Sequence, residues 1–278
     1  MSELQFKDDN ACYVCVVTSC KGGIGKSTVC ANLAAALAER GRRVLCVDCD
    51  YSNRALDLIF GVDGRLTPGV DRYINEDMTP SDAVMTVREG ELWFIPGPEK
   101  NVVLRDAARF KKKILDAARA FSCNTIFIDT PGASDGILPA VVPMADTGIV
   151  VASHMPTSIR GAERMGQMLE EYGVSERLLI VNRFDASDVL KGLRPGVNEL
   201  IDRTYIRLIG VVPDSKRLEL AQEQGLLADE ILRDRDRTAD AFDEIAARLC
   251  GERVPLMSYL PRSLRRKLTK ANFKLGKR

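Results

Sequence analysis

Residues Tyr13–Thr18 (Tyr-Val-Cys-Val-Val-Thr) run straight into Ser19-Cys20-Lys21-Gly22-Gly23-Ile24-Gly25-Lys26-Ser27-Thr28, and an alanine- and leucine-rich stretch follows at once. A β-run passing through a glycine-rich turn into a helix is a strand–loop–helix unit. A strand apolar on both faces must be covered on both, so the unit implies a parallel sheet sandwiched by helices. The rest of the chain repeats the pattern. Further strands are predicted over 44–48, 92–96, 125–129, 147–152, 178–181 and 206–212, and helices over 26–40, 104–121, 158–172, 189–203, 215–224 and 238–250. The expected fold is α/β, a mostly parallel sheet with helices on both faces. No internal repeat or flexible linker interrupts residues 12–250, which read as one domain.

The glycine-rich turn carries the first chemistry. Gly22, Gly23 and Gly25 let the backbone close around phosphate oxygens, with Ile24 between them, at the N-terminus of the following helix. Lys26 supplies a point charge for the outer phosphates, Ser27 a hydroxyl ligand for Mg2+, and Thr28 a helix residue packing nearby. The expected ligand is ATP with Mg2+. Asp48 and Asp50 close the second strand and Asp129 closes the strand over 125–129. Carboxylates at the C-terminal ends of parallel strands line the crevice where such sheets bind ligands.

The run Lys21-Gly22-Gly23-Ile24-Gly25-Lys26-Ser27, with its additional lysine, resembles the deviant Walker A sequence of the MinD/ParA family of ATPases. The resemblance spans residues 12–275 and is strongest to the MinD group. It includes Leu56-Asp57 after the second strand, Asn182-Arg183, Gly210-Val211-Val212-Pro213-Asp214 and Val254-Pro255-Leu256-Met257. It implies a P-loop NTPase fold of the SIMIBI type. Catalytic roles go to Lys21, which reaches the phosphates of a partner subunit in an ATP-bound homodimer, to Lys26, and to Asp50, which orients the attacking water. Asp129 becomes the Walker B aspartate, with Asp48 and Ser27 near the metal. Asn182 and Arg183 would hold adenine, and Pro213 and Asp214 would pack on the base. The sequence departs from the pattern at Cys20, where glycine is usual, at Asn53-Arg54-Ala55, and at Asp129-Thr130-Pro131-Gly132. No glutamate follows Asp129, so slow turnover without an activating partner is expected.

Charge divides the chain. From Arg262 to Arg278 there are eight basic residues and no acidic ones, which leaves 32 basic against 39 acidic side chains in the remainder. On a helical wheel Leu260, Leu264, Leu268, Ala271 and Leu275 share an arc of about 80°, and basic residues, Arg265, Arg266 and Lys267 among them, occupy the remainder. A basic amphipathic helix of this kind is expected to lie on an anionic membrane surface. The predicted organisation is a flexible N-terminus (1–11), an ATPase domain (12–254), and a linker with membrane-targeting tail (255–278). No stretch approaches the roughly 20 apolar residues that cross a bilayer, and residues 1–11 read as neither a secretory signal nor a transit peptide. Location in the cytoplasm and on the cytoplasmic face of the membrane is expected.

Taken with the resemblance, these features point to an ATPase that attaches to the membrane as an ATP-bound dimer and positions the division site. A division inhibitor and an ATPase-activating protein are the expected partners. A flagellar-number regulator is an alternative, as is a DNA-segregation ATPase, although the net acidic body makes DNA an unlikely partner. The eight cysteines are expected to be reduced, buried thiols. Cys12/Cys15 and Cys46/Cys49 are spaced by three along strands, which turns the members of each pair to opposite faces.

Overall fold

A computed structural model describes residues 12–64, 67–98, 106–132, 136–231 and 236–271. The predicted N-terminal segment and Leu275 lie outside the described residues.

One eight-stranded sheet forms the frame. Its strands are β1 (Tyr13–Thr18), β2 (Val44–Asp48), β3 (Met85–Arg88), β4 (Leu92–Ile95), β5 (Thr125–Asp129), β6 (Thr147–Ala152), β7 (Glu176–Phe184) and β8 (Arg207–Pro213). Their order is β3-β4-β2-β5-β1-β6-β7-β8. All pairings are parallel except β3 with β4. The longer helices are α1 (Lys26–Glu39), α5 (Ala107–Ala120), α7 (Pro156–Glu171), α9 (Val197–Thr204), α11 (Thr238–Leu249) and α12 (Arg262–Lys270). Shorter turns of helix are α2 (Leu56–Ile59), α3 (Val70–Asn75), α4 (Pro80–Ala83), α6 (Leu138–Val141), α8 (Ala186–Leu190) and α10 (Lys216–Gln222).

The strands are buried on both faces, and successive side chains divide between two cores. Val14, Val16, Leu45, Val47, Ile126 and Ile128 face the layer containing Phe110, Ile114, Met165 and Leu200. Cys15, Val17, Val44, Cys46 and Phe127 face the other, with Leu33, Leu37, Phe242 and Ile245. Cys15 and Cys46 lie in the second core whereas Cys12 and Cys49 belong with the first, so neither CxxC pair converges. On β8, a β-carbon at Gly210 would stand 2.1 Å from Ile245 Cγ1, so glycine lets α11 lie close against the strand.

The structure corrects one predicted helix. Residues 189–203 form no continuous helix but split into α8 and α9. Gly192 adopts φ +73°, its N–H donates to the Val189 carbonyl, and the Leu193 N–H donates to the Asp188 carbonyl. These two bonds with a left-handed glycine make a Schellman stop, and Pro195 then precedes the Gly196 cap of α9. The antiparallel edge strand β3 was not predicted.

The region after 254 is fastened to the domain. Glu244 on α11 accepts hydrogen bonds from Arg248 (2.9 Å), Ser258 Oγ (2.5 Å) and the Tyr259 N–H (2.7 Å). Arg248 donates in turn to the carbonyls of Ile209, Val254 and Pro255, and Tyr259 Oη donates to the Val211 carbonyl. The stretch predicted as a linker is therefore latched to α11 and β8. Beyond it α12 packs against α8 and α9. Leu268 is fully buried, and Leu260, Leu264 and Ala271 are partly buried against the first core. The apolar stripe predicted to meet lipid is thus turned onto the protein in this state, because the groove between α8 and α9 offers it the same shelter from water. Arg266 and Lys267 are exposed and Arg265 is partly so. Among the described residues no helix is long and apolar enough to cross a membrane.

Candidate functional site

The site lies where the C-terminal ends of β1, β2, β5, β7 and β8 open into loops. Gly23 and Gly25 hold left-handed backbone (φ +72° and +88°), which bends the loop round the start of α1. No side chain caps α1 and its first turn has no acidic residue, so the positive end of this 14-residue helix faces the loop. Asn182, at the end of β7, braces the loop by donating from Nδ2 to the Ile24 carbonyl at 3.0 Å. A β-carbon on Gly25 would stand 2.3 Å from that nitrogen, so only glycine admits the brace. On the other side, a β-carbon on Gly132 would come within 3.8 Å of the Gly22 amide nitrogen, which sets the segment after β5 against the loop.

Lys26 and Ser27 are buried at the start of α1, whereas Lys21, Gly22 and Gly23 are exposed. Lys26 Nζ stands 4.0 Å from Asp50 Oδ2, and both side chains are nearly inaccessible. Asp50 is further fixed by Ser52, whose N–H and hydroxyl donate to Oδ1. Asp48 accepts from the Asp50 N–H at 2.8 Å and from the Leu56 N–H at 3.5 Å. Asp48 and Asp129 are register partners on adjacent parallel strands. Burial, and then the negative charge of Asp129, push the Asp48 carboxyl well up. Asp129 is fully buried, and neither of its carboxylate oxygens has a hydrogen-bond partner. Burial raises its carboxyl to about 7, with Ser27 and Lys26 pulling the other way.

Two crowded carboxylates beside a hydroxyl, the Asp129 carboxylate with no hydrogen-bond partner, form a hard, oxygen-only donor set of the kind that suits Mg2+. Among the described residues no three His, Cys, Asp or Glu side chains converge as a metal cage.

A second cleft adjoins the loop, lined by Thr28, Asn182, Arg183, Pro213 and Asp214. Four of these were the residues predicted to hold a base, and the fold brings them together with Thr28. Arg183 sits at φ +52°, an uncommon backbone for a non-glycine residue, where the pairing of β7 with β8 shifts register. Sequence reasoning predicted α10 within 215–224 but did not assign it to this cleft. Ser215 caps that helix by accepting from the Leu218 N–H, and Gln222 accepts from the Thr28 hydroxyl at 3.2 Å. A serine cap followed by Leu218 and Gln222 at helical spacing marks that helix in the sequence and turns Gln222 toward Thr28.

Residues 15–228 match the model of the CobQ/CobB/MinD/ParA nucleotide-binding domain. The chain is 31% identical to the septum site-determining protein MinD of Synechocystis, over 89% of this chain and 92% of that protein. It is 30% identical to MinD of Thermotoga maritima, over 87% and 90% respectively. In the MinC:MinD cell division protein complex of Aquifex aeolicus, one chain superposes with a TM-score of 0.80 at 28% identity, covering 88% of this chain and 98% of that one. With its phosphate loop, paired strand-end aspartates and adjoining cleft in place, the chain belongs to the MinD group of the CobQ/CobB/MinD/ParA nucleotide-binding family.

Proposed function

We propose that this chain is a MinD-type ATPase that helps to place the division septum, and that nucleotide state decides whether its C-terminal helix engages a membrane. The observation that carries the reading is α12. It is basic and amphipathic, and it is held on the body by a fully buried Leu268 in a chain that also carries a phosphate loop.

Lys26 would grip the outer phosphates of ATP, leaving the Asp50 partner it holds at 4.0 Å in this state. Asp50 is then available to orient water for attack. Ser27, Asp48 and Asp129 would hold Mg2+, whose charge offsets the repulsion between phosphates and carboxylates. Exposed Lys21 is placed to reach the phosphates of a second copy across an ATP-bound homodimer, a cation supplied in trans. Thr130 follows Asp129 where many ATPases carry a glutamate, which supports slow turnover until an activating protein completes the site.

One short amphipathic helix binds lipid marginally, whereas two in a dimer bind together at high effective concentration. Pairing on ATP would therefore attach the protein to the cytoplasmic face of the membrane, and hydrolysis would release it. The Aquifex aeolicus MinC:MinD complex supports a division inhibitor of the MinC kind as partner. An activator of the MinE kind completes the cycle proposed here.

Sedimentation with anionic liposomes, and separately with DNA, under ATP, ADP and no nucleotide tests the reading. Lipid binding that requires ATP and disappears on deleting residues 260–278 is the expected result. DNA binding that requires ATP and survives the deletion would overturn it.

A further inference from the structure

The seam between the end of α8 and the docked α12 is a groove of about 420 Å³. Lys191 and Gly192 form one side, and Lys267, Lys270 and Ala271 the other. The three lysines are exposed. No ion pair or side-chain hydrogen bond joins their ammonium groups to another described residue. Nearby carboxylates are already engaged, Asp188 with Arg194 at 3.6 Å and Glu199 with Arg203 at 2.5 Å. Cations at the last turn of α12 suit the negative end of that helix. That accounts for Lys267 and Lys270 but not for Lys191, which comes from a different element. Leu190 also lines the groove and is 49% exposed, and Leu193, a few residues on, is 41% exposed. Three lysines beside exposed leucines match the phosphodiester headgroup of an anionic lipid together with its apolar glycerol and acyl portions. Free phosphate offers the same anion without that apolar part.

We propose that this groove is a headgroup site through which the chain first touches an anionic membrane while α12 is still docked. The inference rests on the membrane-attachment reading above. It divides attachment into two stages. Lys191, Lys267 and Lys270 hold a headgroup in an encounter complex, and α12 then leaves its berth and inserts its leucines. Lys191 therefore acts on the rate of attachment and not on the strength of the inserted state.

The test is stopped-flow light scattering of the full chain with ATP and vesicles of phosphatidylglycerol and phosphatidylcholine. Lys191→Ala should slow association about fivefold, the effect of one lysine near an anionic surface, and leave equilibrium vesicle binding and ATP turnover unchanged. Lys112→Ala, an equal loss of charge at an exposed position on α5, should leave association at the wild-type rate. In a Gly196→Ala background, where a new β-carbon would meet the Ala271 carbonyl oxygen at 2.5 Å and unseat α12, Lys191→Ala should have no further effect. Exchanging chloride for inorganic phosphate at equal ionic strength should leave association unchanged. Wild-type association that is insensitive to Lys191→Ala overturns the headgroup site alone. So does an equal slowing in the Gly196→Ala background, or a Lys191-dependent displacement by inorganic phosphate. Failure of the wild-type chain to associate at all overturns the membrane reading beneath it.

Discussion

A β-carbon placed on Gly196 would stand 2.8 Å from the carbonyl oxygen of Leu268, so the α9 cap and the C-terminal helix touch backbone to backbone. Gly196 has an ordinary extended conformation (φ −78°, ψ 174°) that alanine adopts without strain. The glycine is required for the approach of α12 and not for the turn itself.

Gly196→Ala should therefore release α12 while leaving the fold and the tail sequence intact. Overpacking of this kind costs about 1–3 kcal/mol, so the undocked fraction should rise by about tenfold or more. Tryptic cleavage within residues 262–270 should accelerate accordingly, and nucleotide-free protein should sediment with anionic liposomes more than wild type does. Unchanged cleavage would show that the docked helix tolerates the methyl group.

The Asn182 brace sets the shape of the phosphate loop. Asn182→Ala leaves the Ile24 carbonyl without its donor, at a cost of about 1–3 kcal/mol for an unsatisfied buried acceptor. Nucleotide affinity measured by calorimetry should fall about tenfold. Gly25→Ala should abolish binding, because the new methyl meets Asn182 Nδ2 at 2.3 Å on backbone at φ +88°. Wild-type affinity in either variant would refute the assignment.

Glu244 holds both the buried Arg248 and the start of the tail. Glu244→Ala should destabilise the domain by about 3 kcal/mol, since it strands a buried guanidinium. It should also make residues 255–261 susceptible to protease. Urea denaturation with limited proteolysis reads both effects. A stability loss without new cleavage would separate the ion pair from the latch.

His154 is buried against the Phe184 ring, and its Nδ1 has no hydrogen-bond partner. Burial, and then the charge of Arg194, hold its imidazole below the usual histidine range, with Asp185, Asp188 and Asp214 opposing. The unfolded chain therefore binds a proton at about pH 6.5 that the folded chain takes up only at lower pH. This group's contribution to stability is full above that value and is lost as pH falls toward the folded pKa. His154→Phe should flatten the fall in denaturation midpoint between neutral pH and the acid side. An unchanged slope would assign it to the carboxylates.

The core architecture and the phosphate loop were legible in the sequence because both are local. Continuous apolar runs bury their own strands on both faces, and Gly22, Gly23, Gly25, Lys26 and Ser27 occupy one turn between a strand and a helix. The break at Gly192 was also local, but the apolar spacing across 189–203 masked it. Other features depended on partners distant in sequence. Asn182 meets Ile24 only because β7 ends beside the loop after β1, and Asp129 faces Asp48 only because β5 lies next to β2. The sequence alone also determined that the C-terminal segment is basic, amphipathic and helical. Tertiary structure decided where its apolar face goes. Leucines on a helix specify that water must be excluded, but not by what, and the groove between α8 and α9 is one of the surfaces that can do it.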